Sequence, residues 1–293
     1  MSKHTDFIVT GATGNVGGLV VERLVARGVK PTLFVRDEAK ARARFGDRVR
    51  VVVGDLADPA SLGPALSKDA ALFLVSSGPR LAACDAAVAA LAREAGVANL
   101  VKLSTMDVEQ KSVGTGVWHA DGEAAIRASG APFTFVRPSG FMSNALAWAA
   151  TIRTDGVVRS STGDGTVAFI HPVDIADVAT EALVSREHVG RALTISGPEA
   201  LTYRAMVAII AARIGKPIAY ESLTDEQQLA RWSETGEPLS TYDYHLSIFR
   251  AIRAGKLSGV TDGVRRVLGR EPLSFARFVD DNAAAFADRA SRT

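Results

Sequence analysis

The segment Thr10-Gly11-Ala12-Thr13-Gly14-Asn15-Val16-Gly17 constrains the fold of this chain more than any other. It follows an apolar run at residues 6–10 and opens a run with helical spacing at 16–27. In that setting each glycine has a task. Gly11 permits a sharp turn off a strand, Gly14 lets a pyrophosphate approach the backbone, and Gly17 lets the helix pack close to the sheet. Unpaired N–H groups at the helix start then face an anion. A glycine-rich loop alone is a weak signal; a strand before it and a helix after it make it specific.

The next stretch repeats the strand–helix alternation. Runs at 31–35, 50–53, 70–75, 100–104 and 132–137 are mostly rich in Val, Leu, Ile and Phe. They read as strands buried on both faces, as parallel strands are. Runs at 38–45, 59–66, 80–94 and 115–129 have helical spacing, and Gly28, Gly46, Gly96 and Gly130 fit helix C-terminal caps. The pattern predicts an α/β fold: a doubly wound parallel Rossmann sheet with right-handed crossovers.

After Pro138 the rhythm changes. Gly163-Asp164-Gly165 is a turn, and His171-Pro172-Val173-Asp174 begins a helix with Asp174 as N-cap or first-turn residue. Residues 192–196 read as one more strand and 202–214 as a helix closed by Gly215, with mainly helical spacing from Thr224 onward. The 293 residues are thus expected to form a nucleotide-binding domain over 1–150 and a smaller, mainly helical substrate region over 151–293, interleaved by one strand returning to the sheet.

Composition excludes several classes. Lys and Arg number 34 and Asp and Glu 32, a net charge of +2, which is no electrostatic footprint for nucleic acid. Arg42, Arg44, Arg48 and Arg50 cluster, but Asp37, Glu38 and Asp47 are interleaved, so the cluster reads as a solvated face. One cysteine, Cys84, excludes an internal disulfide and a cysteine-based zinc cage. In Leu81-Ala82-Ala83-Cys84 it reads as a small buried hydrophobe. No cluster has metal-ligand spacing, and no signal-peptide core or membrane-length apolar stretch is present. The expectation is a cytoplasmic monomer or homodimer acting on a small molecule, with no metal, nucleic acid or membrane.

The end of the second strand addresses the choice of dinucleotide. NAD binders carry Asp or Glu there for the ribose 2′-hydroxyl. This chain carries Arg36, 19 residues after Gly17, and a guanidinium can grip a 2′-phosphate that a carboxylate would repel. Lys40 adds positive potential, and Asp37 fits a helix cap. NADP(H) is therefore expected, with NAD(H) possible; the competing reading makes Arg36 and Lys40 solvated surface charges. Val75, Ser76 and Ser77 end the fourth strand beside the dinucleotide's path.

The spacing of residues 10–17 resembles the extended and atypical short-chain dehydrogenase/reductase superfamily. It is closer still to the NmrA-like branch, which holds NADP-sensing regulators and small NADPH-dependent quinone and dye reductases. Val35-Arg36-Asp37, Gly54-Asp55-Leu56, Leu103-Ser104-Thr105, residues 137–144, His171-Pro172-Val173-Asp174-Ile175-Ala176 and residues 268–275 carry the rest of the resemblance, which covers nearly the whole chain. It implies that Asp55 and Leu56 lie beside the adenine, and that the segment containing Pro138 and Phe141 passes the nicotinamide.

Typical members use Ser, Tyr and Lys, with Tyr-x-x-x-Lys on the helix after the fifth strand. Here that helix has neither Tyr nor Lys; His119 and Glu123 stand at the corresponding spacing, on one helix face. Ser104 and Thr105 are expected to donate hydrogen bonds to a substrate oxygen. His119 is expected to act as an imidazolium donor, oriented by Glu123 or raised in pKa by it. The alternative makes His119 a cleft wall and Glu123 a structural partner. Phe141, Met142, Asn144 and Trp148 are expected to face substrate. Trp232, Tyr242, Tyr244 and His245, in a stretch interrupted by Gly236 and Pro238, form either a lid or a helix-packing cluster. Two functions follow: an NADPH-dependent oxidoreductase passing hydride to a quinone, enone, imine or dye, or a non-catalytic NADP(H) sensor binding a partner protein.

Overall fold

The computed structural model describes residues 6–109, 114–234 and 239–287. In chain order it begins β1 (Phe7–Thr10), α1 (Asn15–Ala26), β2 (Thr32–Val35), α2 (Glu38–Phe45), β3 (Arg50–Val53), β4 (Ala71–Leu74), α3 (Leu81–Glu94), β5 (Asn99–Leu103), α4 (Gly114–Ser129) and β6 (Phe133–Pro138). It continues α5 (Ala149–Asp155), β7 (Val157–Ser160), β8 (Thr166–Val167), α6 (Pro172–Val184), β9 (Ala192–Ile195), β10 (Leu201–Thr202), α7 (Tyr203–Ile214) and β11 (Ala219–Ser222). The last elements are α8 (Asp225–Ser233), α9 (Leu239–Arg253), α10 (Gly263–Leu268), α11 (Phe275–Asp281) and α12 (Ala283–Phe286).

Two compact units emerge. The first runs through Pro138 and adds Pro172–Ile195 and Gly263–Arg270; the second holds Ser139–His171, Ser196–Asp262 and the residues from Glu271. A single cut near residue 150 misses this division, because α6 and α10 as well as β9 return to the first unit.

The first unit is a seven-stranded sheet in the order β3-β2-β1-β4-β5-β6-β9, with every pair parallel. The order reverses at β1, so β1 and β4 diverge into loops on opposite sides and leave a crevice at their carboxyl ends. Residues of β2, β4 and β5 are almost wholly buried, which explains their unbroken apolar runs. Leu72, Leu74 and Leu100 pack with Val88, Ala89 and Ile126 on the α3 and α4 face. The run at 59–66 forms a 3₁₀ segment, Pro59–Ala65, instead of an α-helix; Pro64 inside it removes a backbone donor.

Asp174 lies in the first turn of α6, one of the two places expected for it. It is fully buried and takes Arg270 Nη1 at 2.6 Å, while Arg270 Nη2 reaches Asp177 at 2.6 Å and Arg23 Nε meets Asp177 at 2.9 Å. These pairs tie α10, α6 and α1 together.

In the second unit β7 pairs with β11 in parallel and β8 with β10 antiparallel, two short sheets absent from the sequence reading. Two residues, as in β8 and β10, are too few for hydrophobic periodicity to mark, and β7 and β11, of four residues each, carry the polar residues Arg159, Ser160, Glu221 and Ser222 instead of the unbroken apolar runs of β2 and β4. Thr202 caps α7 by accepting from the Ala205 N–H, and Gly215 ends it at φ +68°.

Gly11 and Gly17 set the first turn of the first unit. Gly11 sits at φ +62°, and a Cβ on Gly17 would stand 2.3 Å from the Gly11 carbonyl oxygen. A Cβ on Gly14 would stand 3.3 Å from the same oxygen, a tight but tolerable contact. Gly17→Ala is therefore expected to lower stability by about 3 kcal/mol, the scale of forced overpacking. Gly14→Ala is expected to cost about 1 kcal/mol, as for a changed helix cap. Urea unfolding midpoints of the two variants check the order, and equal costs would remove the packing argument.

Candidate functional site

A cavity of about 830 Å³ opens at the carboxyl ends of β1 to β4 in the first unit. Thr10, Gly11 and Thr13 contribute to it from the loop after β1. Gly14 is the N-cap of α1 and makes no side-chain cap, so the first-turn N–H groups have no side chain closing them. Gly14 and Asn15 are exposed; Val16 and Gly17 are buried and serve packing. The Thr10 hydroxyl donates to the Phe73 carbonyl at 3.1 Å and accepts from the Val75 N–H at 2.8 Å, which locks the ends of β1 and β4 together.

Arg36, Asp37 and Lys40 line the cavity at the end of β2. Asp37 caps α2, accepting from the Lys40 N–H at 2.9 Å. The Asp55 carboxylate accepts from the Ala57 N–H at 2.9 Å. Both acids are thus occupied locally, while Arg36 and Lys40 are exposed and line the cavity. Asp55 and Leu56, with Val75, Ser76 and Ser77, also line the cavity.

One wall escaped the sequence reading. Arg80, Ala83, Cys84 and Ala87 form a stripe along α3 at helical spacing and face Gly54, Ala57 and Pro59 across the cavity. The signal is small residues at i+3, i+4 and i+7 from an arginine at i. Cys84 is accordingly half-buried, not a core residue. Burial and the neighbouring Asp85 carboxylate push its thiol pKa up, so it is a poor nucleophile.

The expected catalytic group is rearranged. Ser104, buried after β5, donates its proton to Glu123 Oε1 at 2.7 Å. Arg137 clamps Glu123 from β6, Nε to Oε1 at 2.9 Å and Nη2 to Oε2 at 2.5 Å. A single charged-group bridge therefore occupies Ser104 and Glu123 together, and Glu123 is turned to Arg137 and away from the task of orienting His119. The His119 imidazole has a buried Nδ1 without a hydrogen-bond partner. Burial, then the charge of Lys102, lowers its pKa to about 3. The expectation of a raised pKa from Glu123 is reversed: the carboxylate is already neutralised by a guanidinium. Thr105 donates to Asp107 Oδ2 at 3.1 Å.

A second cluster went unread. Lys102 on β5 and Asp85 on α3 are both fully buried and form an ion pair at 2.6 Å, with Ser76 bridging them. A single Lys inside Leu100-Val101-Lys102-Leu103 was its sequence signature, since a lysine in a strand buried on both faces must find a partner.

In the second unit Pro138's successors Ser139 and Gly140 pack on β-strand-like backbone: the Ser139 hydroxyl donates to the Ala168 carbonyl at 2.5 Å, and Gly140 lies against the Phe169 ring. Met142 and Tyr242 are buried in packing. Tyr242 stacks on Trp232 and donates its hydroxyl proton to the Trp232 carbonyl at 2.5 Å, which joins α8 to α9. Trp148 packs edge-on to Tyr203 at 4.9 Å. Phe141 and Trp148 are half-buried, and Asn144 and His245 are exposed. Gly236 and Pro238 lie outside the described residues. Among the described residues no group of three or more His, Cys, Asp or Glu could hold a metal, and no helix is long and apolar enough to cross a membrane.

Comparison with known proteins places this geometry. A family model described as NAD(P)H-binding matches residues 11–186. A (4-alkanoyl-5-oxo-2,5-dihydrofuran-3-yl)methyl phosphate reductase from Streptomyces griseus is 40% identical over 283 residues, 96% of this chain and 99% of its own. An NAD(P)H azoreductase from Xenophilus azovorans is 34% identical, covering 95% and 98%. The NADPH complex of the quinone oxidoreductase QOR2 from Escherichia coli superposes with a TM-score of 0.85 at 26% identity, covering 94% of this chain and 99% of that one.

The His119 environment sets a pH expectation. The unfolded chain takes a proton near an ordinary imidazole pKa of about 6.5, and the folded chain refuses it until about 3. The group therefore costs no stability above the unfolded value and lowers stability progressively as pH falls between the two values. His119→Asn should flatten that acid-side loss. The His119 ring resonances in the unmodified protein should stay fixed between about pH 8 and about pH 5; a titration in that window would refute the buried neutral imidazole.

Proposed function

Since this chain belongs to the NAD(P)H-binding family, we propose that it is an NADPH-dependent reductase delivering hydride to a small, conjugated, electron-poor acceptor. The observation that carries the reading is the pairing of two features in the first unit. A cavity with locally occupied acids and exposed Arg36 and Lys40 suits a dinucleotide bearing a 2′-phosphate. The neighbouring Ser104, Glu123 and His119 offer no side-chain proton: the first donates to the second, the second is held by Arg137, and the third is neutral.

The bound cofactor supplies hydride from its dihydronicotinamide ring. An acceptor reduced without a strong acid must spread the charge it gains, or carry positive charge beforehand. Quinones, enones, imines in their cationic form and cationic dyes meet that condition; simple ketones do not. The proton that completes reduction of a neutral acceptor comes from water. Neutral His119 can still donate a hydrogen bond through Nε2–H, and with Thr105 it fits a positioning role. From the second unit, Phe141, Asn144, Trp148 and His245 are the residues of the substrate set that retain exposed surface. Two relatives that span nearly the whole chain, at 40% and 34% identity, are named as a (4-alkanoyl-5-oxo-2,5-dihydrofuran-3-yl)methyl phosphate reductase and an azoreductase, which supports a conjugated acceptor. The sensor reading has no comparable support.

Two outcomes test this. NADPH is expected to bind more tightly than NADH by roughly 2 kcal/mol, about 30-fold, with Arg36→Ala removing most of the difference; equal affinities in the unmodified protein would defeat the cofactor assignment. Turnover of NADPH against a panel of quinones, enones, iminium ions and cationic dyes should exceed turnover with simple ketones. His119→Phe should hold kcat within about threefold, because a positioned acid contributes about 10²-fold or more. A hundredfold fall would make His119 the proton donor.

A further inference from the structure

Lys102 and Asp85 form a fully buried ion pair between β5 and α3, Nζ to Oδ2 at 2.6 Å. Lys102 Nζ also donates to Ser76 Oγ at 2.9 Å, and Ser76 Oγ donates to Asp85 Oδ1 at 2.6 Å. The three groups close a ring in which the Ser76 hydroxyl has both its proton and a lone pair engaged. Ser76 lines the cofactor cavity, so it meets a ligand through its backbone and not through its hydroxyl. One residue earlier, the Val75 N–H donates to Thr10 Oγ1 at 2.8 Å. The Val75 side chain lies against Gly11, 3.0 Å from where a Cβ would stand. A continuous set of contacts therefore runs from the ion pair to the glycine loop.

We propose that Lys102 is a positioning residue for cofactor binding: through Asp85 and Ser76 it fixes the end of β4, and through Val75 the glycine loop, at the spacing NADPH requires. The proposal rests on the reductase reading above, whose cavity it concerns.

Energetics favour a positional role over a stabilising one. Taking two charges out of water costs several kcal/mol per ion, and a well-packed apolar pair of similar volume commonly matches or exceeds a buried ion pair in stability. An apolar pair could hold α3 on β5 but could not orient a hydroxyl. Burial lowers the Lys102 pKa and the Asp85 carboxylate opposes that shift; the directionality of the ring comes from its hydrogen bonds through Ser76. α4 closes over the pair: a Cβ on Gly122 would stand 2.3 Å from Asp85 Oδ2, so the carboxylate has no room to rotate away. A loop already held in its binding shape avoids an ordering cost on association, and that saving is what the ring supplies.

The experiment compares two variants with the unmodified protein, reading thermal midpoint, NADPH dissociation constant, and kcat and KM with a quinone acceptor. Lys102→Met/Asp85→Leu removes both charges at near-constant volume; Ser76→Ala keeps the ion pair and cuts its link to the loop. Both are expected to weaken NADPH about tenfold, the scale of one or two side chains left to be ordered on binding. KM for NADPH should rise in step; for the double variant, whose two residues do not line the cavity, kcat at saturating NADPH and KM for the quinone stay within about twofold. A thermal midpoint at or above that of the unmodified protein is expected for the double variant. If it fails to fold, Ser76→Ala decides alone. NADPH affinity unchanged in Ser76→Ala overturns the proposal, as does a loss confined to kcat. An unmodified protein without NADPH affinity overturns the reductase reading together with it; an unmodified protein that binds NADPH beside variants that bind equally overturns this inference alone.

Discussion

The cofactor cavity depends on how closely α1 can approach the loop that precedes it. The Gly11 carbonyl oxygen occupies the space a Cβ on Gly17 would need, so helix and loop share one volume. That contact sets the start of α1 directly behind Thr10, Gly11 and Thr13, which line the crevice left where the strand order reverses at β1. Every other feature of the first unit adjusts to it. Val75 packs on Gly11, Thr10 bonds the end of β4, and α6 lies on α1 with Asp177 held by Arg23. A bulkier helix start would push α1 outward and reshape the cavity edge formed by Thr10, Gly11 and Thr13.

Carboxylates in this molecule are drawn away from the place where hydride chemistry would use them. Asp85 and Glu123 lie on adjacent helices, α3 and α4, and each takes a cation from the strand beneath and a serine hydroxyl from a strand end. The two sets repeat one arrangement on neighbouring strands. A serine that donates into such a set has no proton for a ligand, and a carboxylate that is clamped cannot act as a base. The chemistry left to the site is that of positioning.

What could be read in advance follows the range of each interaction. The glycine spacing, the Asp37 cap and Arg36 at the end of β2 are local patterns, fixed within a few residues; Gly11, Arg36 and Asp37 line the cavity, while Gly14 and Gly17 serve the helix start behind it. The buried runs of β2, β4 and β5 announce themselves because both faces are covered. Lys102 with Asp85, and Glu123 with Arg137, join residues 14 to 17 positions apart on different elements. No periodicity encodes their partners. His119 and Glu123 share a helix face by spacing, yet a strand guanidinium outcompetes the helix neighbour for the carboxylate. The short strands β7, β8, β10 and β11 owe their pairing to partners elsewhere in the chain, and their own sequences do not set them apart.

Arg270 bears on the order in which this chain can acquire its structure. Its guanidinium bridges Asp174 and Asp177, and a Cβ on Gly263, at the start of α10, would stand 2.0 Å from the Thr194 carbonyl oxygen. The first unit is thus sealed by residues made after most of the second unit has been produced. During translation the nucleotide-binding sheet has its strands long before it has its last clasp. Loop-closure entropy for a clasp so far along the chain must be met before its ion pairs contribute. A nascent chain stalled short of Arg270 would hold the sheet's strands without the guanidinium that bridges Asp174 and Asp177.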